Sequence, residues 1–294
     1  IDMVPTNPVA AMADGQMLPI IFFAVLLGIS ITLSKEVGVR VSDWFNDMNT
    51  IIMKLVTLVM RFAPYGVFSL IAILAATSSA DSFIALSWYV GLVFAVLFIH
   101  ALLVYPSILW LLGRLNPFVF LSKLRAAMLF AFTTASSNAT IPVTLETVEK
   151  KIGVSNKIAS FTVPLGATIN MDGTAIMQGL ATGFIAQYYG IDLTFSQYLM
   201  VVVMVILASI GTAGVPSVGL VVLAGVLDQV GLPAEGIALI LGVDRLLDMT
   251  RTVVNITGDS MVTTIVGKSE GELDLDIFND PHAGLDFEKT ASAN

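Results

Sequence analysis

The sequence predicts an all-α membrane protein with many spans, two re-entrant hairpins of inverted orientation and broken helices. Three observations predict it. Apolar residues make up 56% of the chain and charged residues only 12%, with a mean hydropathy of +0.88, whereas soluble domains carry about 25% charge. Basic residues gather at a few junctions between long apolar runs. Three of those runs are interrupted at their middle by Ser, Thr, Asn, Asp and Gly, which a lipid-facing helix does not tolerate. Cysteine is absent, so no disulfide frame, thiolate metal site or redox chemistry is expected.

The basic residues orient the spans. Lys35, Arg40, Lys54 and Arg61 flank one junction, Arg114, Lys123 and Arg125 a second, and Lys150, Lys151 and Lys157 a third, with Lys268 and Lys289 after the last helix. The positive-inside rule makes these junctions cytoplasmic and puts the loops at 78–82, 190–192 and 228–235 outside. A span at Met17–Leu33 then runs inward, one at 55–76 outward and one at 85–112 inward. Trp44, Trp88 and Trp110 fall near span ends and read as interfacial anchors.

The segment 117–149 starts and finishes beside cytoplasmic basic clusters, and its middle reads Thr133-Thr-Ala-Ser-Ser-Asn-Ala-Thr-Ile-Pro142. Its arms of about 16 and 10 residues fall short of the roughly 20 that a crossing needs. It therefore enters and turns back. The chain crosses outward through 158–188, where Gly166-Ala-Thr-Ile-Asn-Met-Asp-Gly-Thr174 breaks the apolar run. Segment 195–230 then repeats the re-entrant hairpin from the outside, with Ser209-Ile-Gly-Thr-Ala-Gly-Val-Pro-Ser217 at its middle. Hairpin plus helix, followed by hairpin plus helix in the opposite sense, is the architecture of a multi-span helical transporter.

The last apolar stretch, 235–266, carries Asp244, Asp248, Arg251, Thr252, Asn255 and Asp259. From Asp244 they fall at i+4, i+7, i+8, i+11 and i+15, on one helical face. Charges on a membrane span face a partner, a wet cavity or a ligand rather than lipid. A purely structural salt-bridge ladder would leave the Thr and Asn on that stripe without purpose. Half-helix N-termini at the breaks suit a carboxylate, and unwound carbonyls suit Na⁺ or accompany a proton. Arg251 is a bidentate carboxylate partner and Asp248 an ammonium partner, which together describe a site for an acidic amino acid. A bare dicarboxylate has no amino group to pair with that aspartate.

Four motifs carry a family resemblance: Asn170-Met-Asp-Gly-Thr174, the Thr134-Ala-Ser-Ser-Asn-Ala-Thr140 tip, the Gly211-Thr-Ala-Gly-Val-Pro216 tip, and Asp248-x-x-Arg-Thr-x-x-Asn-x-x-x-Asp259. In this order, over nearly the whole chain, they resemble the glutamate transporter family of dicarboxylate/amino acid:cation symporters. The resemblance corresponds to family helices four to eight plus both hairpins. The start at Ile1, without initiator Met or signal-peptide pattern, fits the C-terminal part of something longer.

The resemblance implies residue roles. Ser137, beside Ser136, and Asn255 hold the substrate α-carboxylate. Asp248 and Thr252 hold the amino group, with tip carbonyls such as that of Val215. Arg251, Thr174 and the backbone of Gly219 hold the side-chain carboxylate. One sodium site uses carbonyls of Gly166, Asn170 and Asn255 with the Asp259 carboxylate. A second uses backbone oxygens of Thr168, Ser209, Ile210 and Thr212, and a third uses Asn170 and Asp172 with a helix that precedes this chain. It further implies scaffold-like membrane helices over 1–84. A transport-domain core follows over 85–268: a helix, hairpin 116–150, broken helix 156–189, hairpin 194–231 and final helix 235–267.

The expected function is elevator-type symport of glutamate or aspartate into the cell, coupled to Na⁺ or H⁺, by a homotrimer in the plasma or inner membrane. C4-dicarboxylate symport and anion conduction are the alternatives, and no organic cofactor or nucleic-acid partner is expected. Enzymatic use of Asp172 and Asp259 as a proteolytic pair would leave Arg251 and both hairpins unexplained. The net charge of −8 gathers beyond Lys268 in Glu270, Glu272, Asp274, Asp276, Asp280, Asp286 and Glu288, predicting an acidic, disordered cytoplasmic tail over 269–294. This chain departs from the family in having Ala135 and Met249 where members place an arginine. It carries Arg245 instead, placed to pair with Asp248 or with a carboxylate across the site. Ser217 and Val218 replace small residues after the second tip's proline. His100 reads as a membrane-edge or packed histidine and His282 as a tail residue.

Overall fold

The computed structural model describes residues 4, 6–13, 17–60, 62, 65, 68–69, 72, 80–210, 212 and 214–284. All their regular structure is helical apart from one antiparallel bridge between Val154 and Leu273. The chain forms two compact units, Ile1–Ser78 and Ser79–Asn294.

In the first unit the Asn7 carboxamide accepts the N–H groups of Val9 and Ala10 and so caps α1 (Pro8–Ala13). Helix α2 (Met17–Leu33) coincides with the first expected span and packs on α3 (Lys35–Met60). Helix α3 carries Lys35, Arg40 and Lys54 along one amphipathic helix. Most of the expected span beyond Met60, and Ser78 of the outer loop, lie outside the described residues.

In the second unit α4 (Ala80–Ile99) continues through two π-helical turns, His100–Val104 and Leu109–Gly113, around one α turn, α5 (Tyr105–Ile108). Ile84–Gly113 is the one described helix long and apolar enough to cross a membrane, with a mean hydropathy of 2.4. Helices α6 (Pro117–Lys123) and α7 (Arg125–Thr134), bent by 53° at Leu124, would make a second if counted together. Helices in other apolar runs, such as Phe195–Ile210 and Val218–Gln229, are shorter.

The breaks follow local chemistry. Helix α7 ends at Ala135, held left-handed at φ 50°, and the Ser136 hydroxyl accepts the Ala139 N–H to start α8 (Ser137–Glu146). Helices α7 and α8 pack together as a helical hairpin, which closes with a π turn at Thr147–Ile152. Helix α9 (Asn156–Ile169) stops at Asn170, and α10 (Asp172–Tyr188) begins with an aspartate in its first turn, favourable to the helix dipole. Helices α11 (Phe195–Ile210) and α12 (Val218–Gln229) form a second hairpin. A 3₁₀ turn at Ala234–Gly236 leads into α13 (Ile237–Ser269). The 33 residues of α13 run through the middle of the unit, against α4, α7, α8, α9, α10 and α12.

Residues 269–284 are mostly exposed but make defined contacts with the rest of the unit. Asp274 caps α14 (Leu275–Asn279), and strand-like bonds join Ser155 N–H to Glu272 O and Asp274 N–H to Gly153 O. Phe278 is buried, and Lys123 Nζ donates to the carbonyls of Lys151 and Ile277, each at 2.6 Å. The apolar residues Leu273, Ile277 and Phe278 among the acids decide this packing. Asp286, Glu288 and the rest of 285–294 lie outside the described residues.

Candidate functional site

Helix α13 buries all six polar residues of its stripe. Arg251 is only 1% exposed, the largest fully buried side chain described. Its Nη2 lies 3.0 Å from Asp244 Oδ1 and 2.8 Å from Asp248 Oδ1. Its Nε and Nη1 are buried without a protein partner. A buried cation needs this compensation, because desolvation of an unpaired ion costs several kcal/mol at about the scale of a domain's whole stability. Both carboxylates engage Nη2, which leaves the Nε and Nη1 donors for something else. Asp248 Oδ2 accepts the Ser217 N–H at 2.9 Å, and Thr252 Oγ1 donates to Asp248 O at 2.9 Å. Neither pairing open to Arg245 forms. Asp248 is taken by Arg251, and Arg245 has a buried Nη1 with no partner among the described residues.

Both hairpin tips converge here. Ser136 Oγ donates to Gly214 O at 2.7 Å, and the Asn138 N–H donates to the same carbonyl at 3.1 Å. Ser137 is buried at the start of α8, and Val215 is half-buried. At Gly219 a Cβ would lie 2.9 Å from Thr174 Cγ2 and 3.8 Å from Arg251 Nη1, so the missing side chain lets α12 open directly over Thr174 and the guanidinium. Gln178 Nε2 donates to Gly219 O at 3.0 Å and fixes that approach.

On the next turns of α13 a second centre forms. Asp259 Oδ1 accepts from Asn170 Nδ2 at 2.9 Å, and a Cβ on Gly166 would come within 2.7 Å of the same oxygen. Asn255 Oδ1 accepts the Gly173 N–H at 2.8 Å, while Asn170 Nδ2 also faces Asn255 O at 3.4 Å. Gly166, Asn170, Asn255 and Asp259 are therefore brought together. Asp259 is buried and has no ion-pair partner among the described residues. A carboxylate so placed takes a cation or a proton. A groove of about 570 Å³, lined by Lys157, Phe161, Thr162, Gly166, Asn170 and Asp259 among others, reaches it.

The other expected cation ligands are less closely gathered. Ser209 Oγ and Thr212 Oγ1 bond carbonyls of their own helix, at Ile206 and Ala208. Thr168 is exposed with its hydroxyl on Pro164 O, and Ile210 is exposed. Helices α9 and α11 pack against each other, yet no hydrogen bond joins these two groups among the described residues.

Asp172 Oδ2 accepts from Tyr105 Oη at 2.9 Å and lies 3.3 Å from His100 Nε2. Asp172 and Asp259 thus bond different partners. Sequence reasoning missed His100 and Tyr105 at this site; two polar residues five apart within an apolar span were the available signal. It also left Asp244 without a role, and overlooked Tyr89, whose buried hydroxyl lies within electrostatic reach of Arg251 and Asp244. Among the described residues no three acidic or histidine side chains cluster as a metal site.

A family model described as the sodium:dicarboxylate symporter family matches residues 1–269. The chain is 38% identical to the proton/sodium-glutamate symport protein of Bacillus caldotenax over 272 residues, 92% of this chain and 64% of that protein. It is 41% identical to the proton/glutamate-aspartate symporter of Escherichia coli (strain K12) over 279 residues, 93% of this chain and 62% of the relative. It is also 41% identical to excitatory amino acid transporter 1 of Rattus norvegicus over 262 residues, 88% and 48% respectively. The chain spans less than two thirds of the length of these relatives.

Proposed function

The chain belongs to the sodium:dicarboxylate symporter family, and on that premise we propose that it forms the substrate-binding part of a secondary active symporter for an acidic amino acid, coupled to Na⁺ or H⁺. The observation that carries this reading is the buried guanidinium of Arg251, held at Nη2 by Asp244 and Asp248, with Nε and Nη1 turned to no protein partner. Buried guanidinium donors left without a partner are matched by a carboxylate. Asp248 beside it supplies the counter-charge for an ammonium, which favours an amino acid over a plain dicarboxylate. Relatives named for glutamate and aspartate support the same substrate class.

Within this proposal Arg251, Thr174 and Gly219 take the side-chain carboxylate, Asp248 and Thr252 the amino group, and Ser136, Ser137 and Asn255 the α-carboxylate. Asp259, Asn170, Gly166 and Asn255 take the coupling cation, and Thr168, Ser209, Ile210 and Thr212 a second one, with Asp172 beside the first centre. Asn255 serves both substrate and cation, so binding of one organises the other. The hairpins α7–α8 and α11–α12 enter the membrane from opposite faces, the second acts as the gate, and the C-terminus lies in the cytoplasm. Residues 1–84 serve as scaffold for a homotrimer, and 85–268 move as an elevator.

Uptake of labelled L-aspartate and L-glutamate into proteoliposomes holding the full-length protein, with Na⁺ and proton gradients imposed separately, tests this. Accumulation above electrochemical equilibrium under either gradient is the expected result. Flux that only equilibrates would instead indicate a channel.

A further inference from the structure

Ser217 opens α12 at φ 62° and ψ 4°, a left-handed conformation that disfavours an L side chain and suits glycine. Its hydroxyl does not cap the helix. Instead, the strained backbone aims the Ser217 N–H at Asp248 Oδ2, 2.9 Å away, while Asp248 Oδ1 takes Arg251 Nη2 at 2.8 Å. Both carboxylate oxygens are engaged, one by the guanidinium and one by the hairpin. The Ser217 side chain also sits beside Asp244, the second carboxylate on Arg251.

Resting on the reading of Asp248 as the amino-group acceptor, we infer that Ser217 is a specificity-determining residue whose N–H competes with the substrate ammonium for Asp248 Oδ2. The hairpin tip supplies its own stand-in for an amino group. An amino acid displaces this contact when it binds, whereas a dicarboxylate without an ammonium leaves it intact. The strength of the contact therefore sets how far the site prefers amino acids. The contact requires residue 217 to be left-handed, so the residue type at 217 is the lever on an equilibrium between two tip arrangements.

The test is equilibrium binding of L-aspartate and succinate to the purified full-length protein, at fixed Na⁺ and pH, for the parent, Ser217→Gly and Ser217→Val. Glycine removes the steric cost and strengthens the contact, so the aspartate-to-succinate affinity ratio falls about five- to thirtyfold, the worth of one left-handed residue. The β-branched valine weakens the contact, so the ratio rises by a similar factor and aspartate binds no more weakly than to the parent. A tip with only a structural role behaves otherwise: valine weakens both ligands together, glycine spares both, and the unmoved ratio overturns the inference. Where succinate binds too weakly to measure, the aspartate affinities decide. Weaker in Ser217→Gly and no weaker in Ser217→Val upholds it, and any other order overturns it. A parent that binds neither probe refutes the proposed function itself, which is distinguishable from a parent that binds both with a constant ratio.

Discussion

Replacing Arg251 with alanine removes the one cation buried between Asp244 and Asp248. Two consequences follow, on different scales. The two carboxylates lose their partner inside a nearly inaccessible site, and breaking a buried ion pair from one side costs about 3–5 kcal/mol of stability. The substrate's side-chain carboxylate loses the unpaired guanidinium donors, and a lost desolvated charge pair typically costs about 2–5 kcal/mol of binding. That corresponds to a weakening of L-aspartate by about thirtyfold to several thousandfold. L-Alanine and L-serine have no second carboxylate, so their affinities change far less or improve. Arg251→Lys keeps the charge but not the planar fork, and recovers only part of the aspartate affinity. The assay is calorimetric or fluorescence binding of the three amino acids to each variant, with a thermal melt on the same sample to separate lost binding from lost folding. A folded Arg251→Ala protein with unchanged aspartate affinity would refute the assignment.

Asp248→Asn should weaken amino acids by orders of magnitude while succinate or malate competes relatively better; equal weakening of both classes in competition binding would show that Asp248 does not read the ammonium. Asp259→Asn should raise the cation concentration needed for half-maximal aspartate binding, with affinity recovering in excess Na⁺ or acid; titrations in which neither rescues binding would count against a cation role. Phe278→Ala should cost about 3–5 kcal/mol and expose the 270–284 segment to limited proteolysis; an unchanged melting temperature would mean that the packed tail contributes nothing to the fold.

The features legible in the sequence are those set by neighbours along the chain. Asp244 through Asp259 lie on one face because helical spacing is local, and the structure buries that face as a unit. The break at Asn170 and the helix start at Ser136 follow from residues that favour helix ends over helix interiors. That Gly166 and Asn170 lie near Asp259 is implied only by the family resemblance, since the broken-helix motif alone names no partner on another helix. Charge counting, by contrast, says nothing of the buried Phe278 or of the backbone bridge between Val154 and Leu273, which are contacts between residues far apart in the chain.

The sequence by itself determined the helical class, the polar stripe, the positions of the breaks and the chemistry each residue offers. Only the tertiary structure decided who pairs with whom. Helical spacing makes the pairing of Arg251 with Asp244 and Asp248 available, but the burial of all three comes from the helices packed around α13. That Ser136 binds Gly214, and that His100 and Tyr105 meet Asp172, depends on contacts between residues 67 to 78 positions apart. Periodicity fixes direction around one helix axis, but burial against other helices selects which of the available partners comes within hydrogen-bond reach.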